Sequence, residues 1–417
     1  MGGQLRRWLP RALWLATGVV VLAVFVVLWR TSTVWPAHLL RRDLEARGTA
    51  RFARPPHVQP PGPGTFGAQA GEAWDALALL EAGSADVELC RAVREGEQPL
   101  TALSPSCRRE GAAAAGALDR LLRATHAAEA GPPPGLGTLD VPTPEGRPRG
   151  WSTLPYAGKL GALRLRQLFS EGDLAGAVRV CVDLQALARD ASWGTGLAGR
   201  LPALAVEEVS FRPCVAALDV APTAVKRTVE VELGRVEEGT PSYSDVVAEY
   251  ALGVRAQAFG QYLGIARWAQ EGGPPRRMDW RSTLELGDAW HRIDARLAEA
   301  VKAAALPMPG RADRLDLLAS GERPLLNPRA AYALPQLGRA ARSDARARSQ
   351  LHLLRGVVAA DLLRTERGRW PSAEELAAAL GDGSGPRLRV EPNGPLLTLV
   401  DPSVPRGELV VTIRPDP

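Results

Sequence analysis

"YAGKLGALRLRQLFSEGDLAGAVRVCVDLQALARDA", residues 156–191, is the stretch that decides the fold. It reads as two helices joined by a tight turn. Gly172 stops the first helix, because glycine adopts the left-handed backbone of a helix end without steric cost. Asp173 caps the second, its carboxylate placed to accept an orphan N–H of the first turn. Beyond the cap, Leu174, Ala177, Cys181, Leu184 and Ala188 recur at helical spacing and define an apolar face. Arg179 and Asp183, four residues apart, fall opposite that face and read as a solvated ion pair. The chain's centre is therefore an antiparallel helical hairpin.

The next stretch, "DASWGTGLAGRLPALAVEE" (190–208), places Gly194, Gly196 and Gly199 in the order G-x-G-x-x-G, with Asp219 twenty residues further on. A dinucleotide cradle needs a strand running straight into the glycines, so that backbone N–H groups and a helix N-terminus meet the pyrophosphate. Here helix intervenes between the one β-like run that precedes them, "VRVCVDL", and the glycines. They are expected instead to break and restart the chain between helices, with Gly199 allowing close approach and Pro202 in the first turn of the next helix.

Further helices are expected over residues 222–238, 242–271, 279–305 and 336–367, the last with Leu351, Leu354, Val358 and Leu362 on one face. "GRWPSAEELAAALG" then supplies a glycine stop, a proline, a capping box of Ser372 with Glu375, a short helix and a second stop. Three β-like runs close the chain, the first two joined through Asn393-Gly394, a strong hairpin turn. Towards the N-terminus, "GEAWDALALLEAG", "SADVELCRAV" and "REGAAAAGALDRLLRATHAAEA" read as helices, the last with Leu118, Leu121, Leu122 and Thr125 on one side.

Residues 12–29, "ALWLATGVVVLAVFVVLW", carry no charge. At ~1.5 Å per residue they reach about 27 Å, near the hydrocarbon thickness of a bilayer. Trp14 and Trp29 lie near the two ends, where indole favours the interface. The expectation is a transmembrane helix; a cleaved signal peptide and a buried core helix are the competing readings. Arginines flank both ends, so charge bias does not fix the orientation.

The expected organisation is thus a cytoplasmic tail (1–11), the membrane helix (12–29) and a Pro/Gly-rich spacer (30–64) holding the domain off the bilayer. A helical subdomain (65–130), a Pro-rich loop (131–150), the main helical domain (151–367) and a small α+β cap (368–417) follow. The fold class is mainly α, an irregular bundle of antiparallel hairpins.

The 417 residues include 51 Lys and Arg against 46 Asp and Glu, a net charge of +5. The cations alternate with acids and form no aromatic-laced basic patch, which argues against nucleic acid as a partner. Four cysteines, Cys90, Cys107, Cys181 and Cys214, allow three pairings. Cys90 with Cys107 closes a short loop, and Cys181 and Cys214 fall on neighbouring helices. An even cysteine count in a large domain beyond a membrane helix favours an oxidising compartment outside the cytoplasm.

The hairpin resembles a single tetratricopeptide-like unit, although no second copy follows at the period such arrays need. "LHLLRGVVAADLLRTERGRWPSAEEL" resembles the helix, Gly-Arg-aromatic-Pro turn and short helix of type II secretion pseudopilins. It also resembles a broad set of uncharacterised, membrane-anchored bacterial envelope proteins, which carry similar upstream hairpins and a segment like "NPRAAYALPQLGRAARSDARARSQL". This second likeness implies an envelope protein without an assigned activity. The N-terminus departs from the pseudopilin pattern, since "MGGQLRRWLPRALW" has no Glu five residues into a processed chain.

No linear catalytic motif occurs, and no metal or cofactor motif. The histidines, His38, His57, His126, His291 and His352, are scattered along the chain with no second His or Cys at ligand spacing. His291 with Asp288 and Asp294 shares a helix face that reads as an exposed polar surface. The pairs Glu207 with Glu208 and Glu237 with Glu238 diverge by about 100° on a helix and do not converge on one atom. Glu208 and Glu249, flanked by apolar residues, are the buried-acid candidates. The expected function is a membrane-anchored module binding other envelope proteins. The alternatives are an envelope hydrolase with a site assembled from distant helices, and a secretion-accessory protein.

Overall fold

The structure is a computed structural model that describes residues 2–29, 54–83, 90–95, 97–133, 135–138, 150–263, 294–320, 337–381, 387–391, 394–401 and 407–412. It is mainly helical with a few small strands. The chain divides into two compact units, residues 1–50 with 254–295, and 51–253 with 296–417.

In the first unit, α1 (Gly2–Trp29) is one continuous helix. Every described side chain on it, from Trp14 to Leu28, is exposed. Among the described residues no helix is long and apolar enough to cross a membrane. Elsewhere in this unit Arg255 pairs with Asp294 at 2.7 Å, so Asp294 serves an ion pair, while Asp288 and His291 lie outside the described residues.

The second unit opens with a departure from the expected spacer. Residues 30–53 lie outside the described part, but from Arg54 onward the chain is docked. Arg54 and His57 are buried, and Gly62–Thr65 forms β1, paired in parallel with β2 (Ala127–Glu129). Pro and Gly keep this stretch from forming a helix, but its buried cation and imidazole tie it to the bundle.

Between these strands run α2 (Phe66–Gly83), the short α3 (Arg91–Glu95) and α4 (Pro105–Ala124). Ser104 caps α4 by accepting from Cys107 N, with Pro105 in the first turn, where its missing N–H costs nothing. Leu118, Leu121, Leu122 and Thr125 are buried as their spacing predicted. The helix stops at Ala124 and the chain turns into β2.

The central hairpin is α5 (Thr153–Ser170) and α6 (Leu174–Ala191). Gly172 takes φ +82° and Asp173 Oδ1 accepts from Gly176 N at 2.9 Å, the stop and cap read from the sequence. The connection to α7 (Gly196–Asp219) is made by Gly194 and Gly196, both at positive φ. A Cβ on Gly196 would also stand 2.8 Å from Tyr250 N, so this position needs glycine for two reasons. The G-x-G-x-x-G run therefore joins two helices. Pro202 is not in the first turn of α7: both Pro202 and Pro213 lie inside the helix, where each forgoes one backbone bond.

Next come α8 (Thr223–Glu238), α9 (Tyr243–Leu263), a helical run over 294–304, α10 (Gly310–Ser320) and α11 (Leu337–Arg367). α12 (Ala373–Leu380) carries the expected Ser372–Glu375 capping box and ends at Gly381 in the left-handed region. β3 (Arg387–Glu391), β4 (Gly394–Asp401) and β5 (Gly407–Thr412) form an antiparallel sheet in that order, with Glu391 opposite Gly394 at the hairpin.

Two aliphatic cores share α6. One joins Phe66, Trp74 and Leu77 of α2 to Leu121 of α4, Leu154 of α5, Leu187 of α6 and Val206 of α7. The other joins Val178 and Val182 of α6 to Leu218 of α7, Leu233 of α8, Leu354 and Val358 of α11, and Leu397 and Leu409 of the sheet. Cys181 and Cys214 form a disulfide inside the second core, with Cα atoms 5.3 Å apart. Cys90 and Cys107 form the other at 6.1 Å, in a small cluster with Val93, Leu103 and Leu163.

Candidate functional site

Because α6 serves two cores, every residue from Cys181 to Ala191 is buried. Asp183 is therefore not on a wet face. Its side chain is 6% exposed, and the expected i,i+4 pair with Arg179 is absent. Arg179 instead donates to Glu232 Oε2 of α8 at 2.8 Å. Asp183 meets two imidazoles: His126 Nε2 lies 2.9 Å from its Oδ1 and His57 Nε2 lies 3.3 Å from the same oxygen. The rings stand edge to face, with centroids 5.3 Å apart.

Three separate pieces of chain build this cluster. α6 carries Asp183, the turn from α4 into β2 carries His126, and the docked segment before β1 carries His57. The parallel β1–β2 pairing holds the last two together, with Gly62 N donating to His126 O at 2.8 Å. Nitrogen and oxygen atoms of His57, His126 and Asp183 lie within 4.8 Å of one another.

A chain of buried charge continues from the cluster. Arg189 Nη2 stands 3.5 Å from His57 Nδ1, and a guanidinium only donates, so Nδ1 is bare and the ring proton sits on Nε2, facing Asp183. Arg189 Nε donates to Asp190 Oδ1 at 2.7 Å. Arg54 grips Asp190 with two bonds of 2.6 Å and reaches the carbonyls of Ala127 at 2.9 Å and Thr125 at 3.2 Å. Burial pushes His57 below its ordinary pKa, and Arg189 adds to the effect, so the ring is neutral. Burial alone would raise Asp183, but the hydrogen bonds from His126 and His57 hold it below the usual carboxylate range. The nearby Glu232 is raised by burial in spite of Arg179.

A second buried cluster crosses α7 and α11. Arg200 donates to Glu207 Oε1 at 2.9 Å and to Asp344 Oδ1 at 2.7 Å, and Arg348 donates to Asp344 Oδ2 at 2.8 Å. Burial raises Glu207, whereas Arg200 and Arg348 overcome burial and depress Asp344. Among the described residues Arg200 Nη2 and Glu207 Oε2 find no partner. On the surface, Glu230, Gly234, Arg235, Glu237, His352 and Arg355 line an open groove of about 560 Å³. Glu237 there accepts from His352 Nδ1 at 2.9 Å and from Arg355.

The predicted acids are placed differently. Glu208 is 60% exposed and sits 3.8 Å from Arg346, because the buried side of α7 belongs to its neighbour Glu207. Glu249 is buried as its apolar neighbours suggested. Sequence reasoning missed the His57–Asp183–His126 cluster because its members are 126 and 57 residues apart. The one available signal was His57 itself, the single ionisable side chain in an otherwise Pro/Gly-rich stretch from 55 to 64. No protein-family model matches the chain, and neither a curated protein nor a solved structure is detectably similar to it.

Proposed function

We propose that this chain is a membrane-anchored, extracytoplasmic helical protein that presents its charged groove and helix faces to other envelope proteins. The observation that carries the reading is α1. Trp14, Leu15, Val19, Val20, Val21, Leu22 and Val24 to Leu28 are 45–78% exposed on a single helix. An apolar surface on every side of a helix is stable in a bilayer and costly in water. Two disulfides suit an oxidising compartment. The groove's alternating acids and bases suit a charged protein surface better than a small apolar ligand.

A photoreactive residue at Val231, an exposed position on the groove, tests this in intact cells. The expected result is a discrete adduct with an envelope protein, lost when residues 2–29 are deleted. Adducts confined to cytoplasmic proteins, or none from Val231, would contradict it. A second reading, an envelope hydrolase with a site assembled from distant helices, is favoured by one observation. Two imidazoles and a carboxylate meet, from three separate segments.

A further inference from the structure

We propose that His57, His126 and Asp183 bind one divalent transition-metal ion of the zinc class, with the remaining coordination position open to water beside His126. The inference goes beyond the anchored-module reading and holds whether the ion is structural or catalytic.

The geometry carries it. Around an ion with bonds of roughly 2.0–2.1 Å, tetrahedral ligand atoms stand about 3.3 Å apart. Two of the three separations here are 2.9 Å and 3.3 Å, and all three lie within 4.8 Å. Both rings direct Nε2 at the same carboxylate oxygen, so the three donor atoms are close enough to share one ion. Two imidazoles with one carboxylate form a mixed nitrogen and oxygen set suited to zinc, cobalt or iron rather than to calcium or magnesium. Among the described residues no free cysteine competes for the ion. His126 is 26% exposed while His57 is fully buried, which gives the ion a way in and a side on which to keep a water.

The network behind the site bears on the cost. A ligating His57 releases the proton on Nε2 and carries one on Nδ1, so it must give up the 3.5 Å contact with Arg189. That is the longest of the polar contacts Arg189 makes here; it keeps Asp190 at 2.7 Å and the Pro55 carbonyl at 3.3 Å. An ion so held would clip the segment before β1 to α6 and to the end of α4.

The test uses the full chain in detergent, stripped with chelator and titrated with Co²⁺ and with Zn²⁺. The expected result is one ion per chain and a Co²⁺ visible band whose intensity reports low coordination number. His126→Ala and Asp183→Asn should each weaken binding by about tenfold or more. Circular dichroism of the metal-free variants confirms that they are folded. His126, being partly exposed, decides the matter even where Asp183→Asn disturbs the fold. Binding well below one ion per chain, or equal affinity in His126→Ala and wild type, would overturn the proposal.

Discussion

At the scale of single residues, stability in this molecule depends on buried charges that are each held from two sides. Asp190 neutralises both Arg54 and Arg189 out of contact with water. Asp190→Asn leaves two buried guanidinium groups without a counter-charge. It should cost about 3–5 kcal/mol in denaturant unfolding, as breaking a buried ion pair does. A loss under 1 kcal/mol would mean that water reaches the network. Asp344 gives a pH signature. Burial raises it, but Arg200 and Arg348 hold it below its ordinary value, so its contribution is full above the usual carboxylate range and is lost as pH falls through its own depressed pKa. Its other titratable neighbours, Glu207, the uncharged phenol of Tyr243 and Arg311, are present on both sides of the comparison. Between neutral and acidic pH, Asp344→Asn should therefore lose less stability than wild type; parallel curves would refute this. These residues also mark where sequence reading stops. Helical spacing identifies which side chains share a face, but not whether that face meets water or a second core. Asp183 reads as solvated because Arg179 stands four residues away, and only the packing of α6 on both sides buries it. Glu207 and Glu208 were separable in angle but not in sign, since which of them faces inward depends on α11.

At the scale of elements, the local chemistry was legible. The Gly172–Asp173 turn, the Ser372–Glu375 capping box and the hairpin that sets Glu391 opposite Gly394 each act within a few residues, so the sequence contains the whole cause. Asp173→Ala removes the bond to Gly176 N and should cost about 1 kcal/mol, read as a shift in the unfolding midpoint. Gly196→Ala should cost more, about 2 kcal/mol or above. It forces a Cβ onto a backbone at φ +55° and against Tyr250. If Gly196→Ala proves neutral, the close approach of α7 to α9 is wrong. The elements misjudged are those set by distant partners. Pro202 is tolerated within α7, away from its first turn. The segment at 54–64 is docked because Arg54 and His57 find acids on α6, about 130 residues away.

At the scale of the whole molecule, two cores meet on α6 and a disulfide locks one of them. The Cys181–Cys214 bridge closes a 33-residue separation, and in the loop-entropy picture its loss costs about 3–4 kcal/mol. Cys181→Ser with Cys214→Ser should lower the denaturant midpoint accordingly while leaving helix content intact. The composition, the helical class and the even cysteine count were readable from the sequence, because each rests on residue type and spacing; which cysteines pair was not, because three pairings were open until the packing brought Cys90 to Cys107 and Cys181 to Cys214. The proposed placement is an oxidised helical body held at the envelope by an apolar helix. Its most direct test is alkaline carbonate extraction of membranes from expressing cells, with maleimide labelling before and after reduction. The expected result is the chain in the membrane pellet, with Cys90, Cys107, Cys181 and Cys214 reactive only once reduced. Recovery in the supernatant with all four thiols labelled without reductant would contradict it.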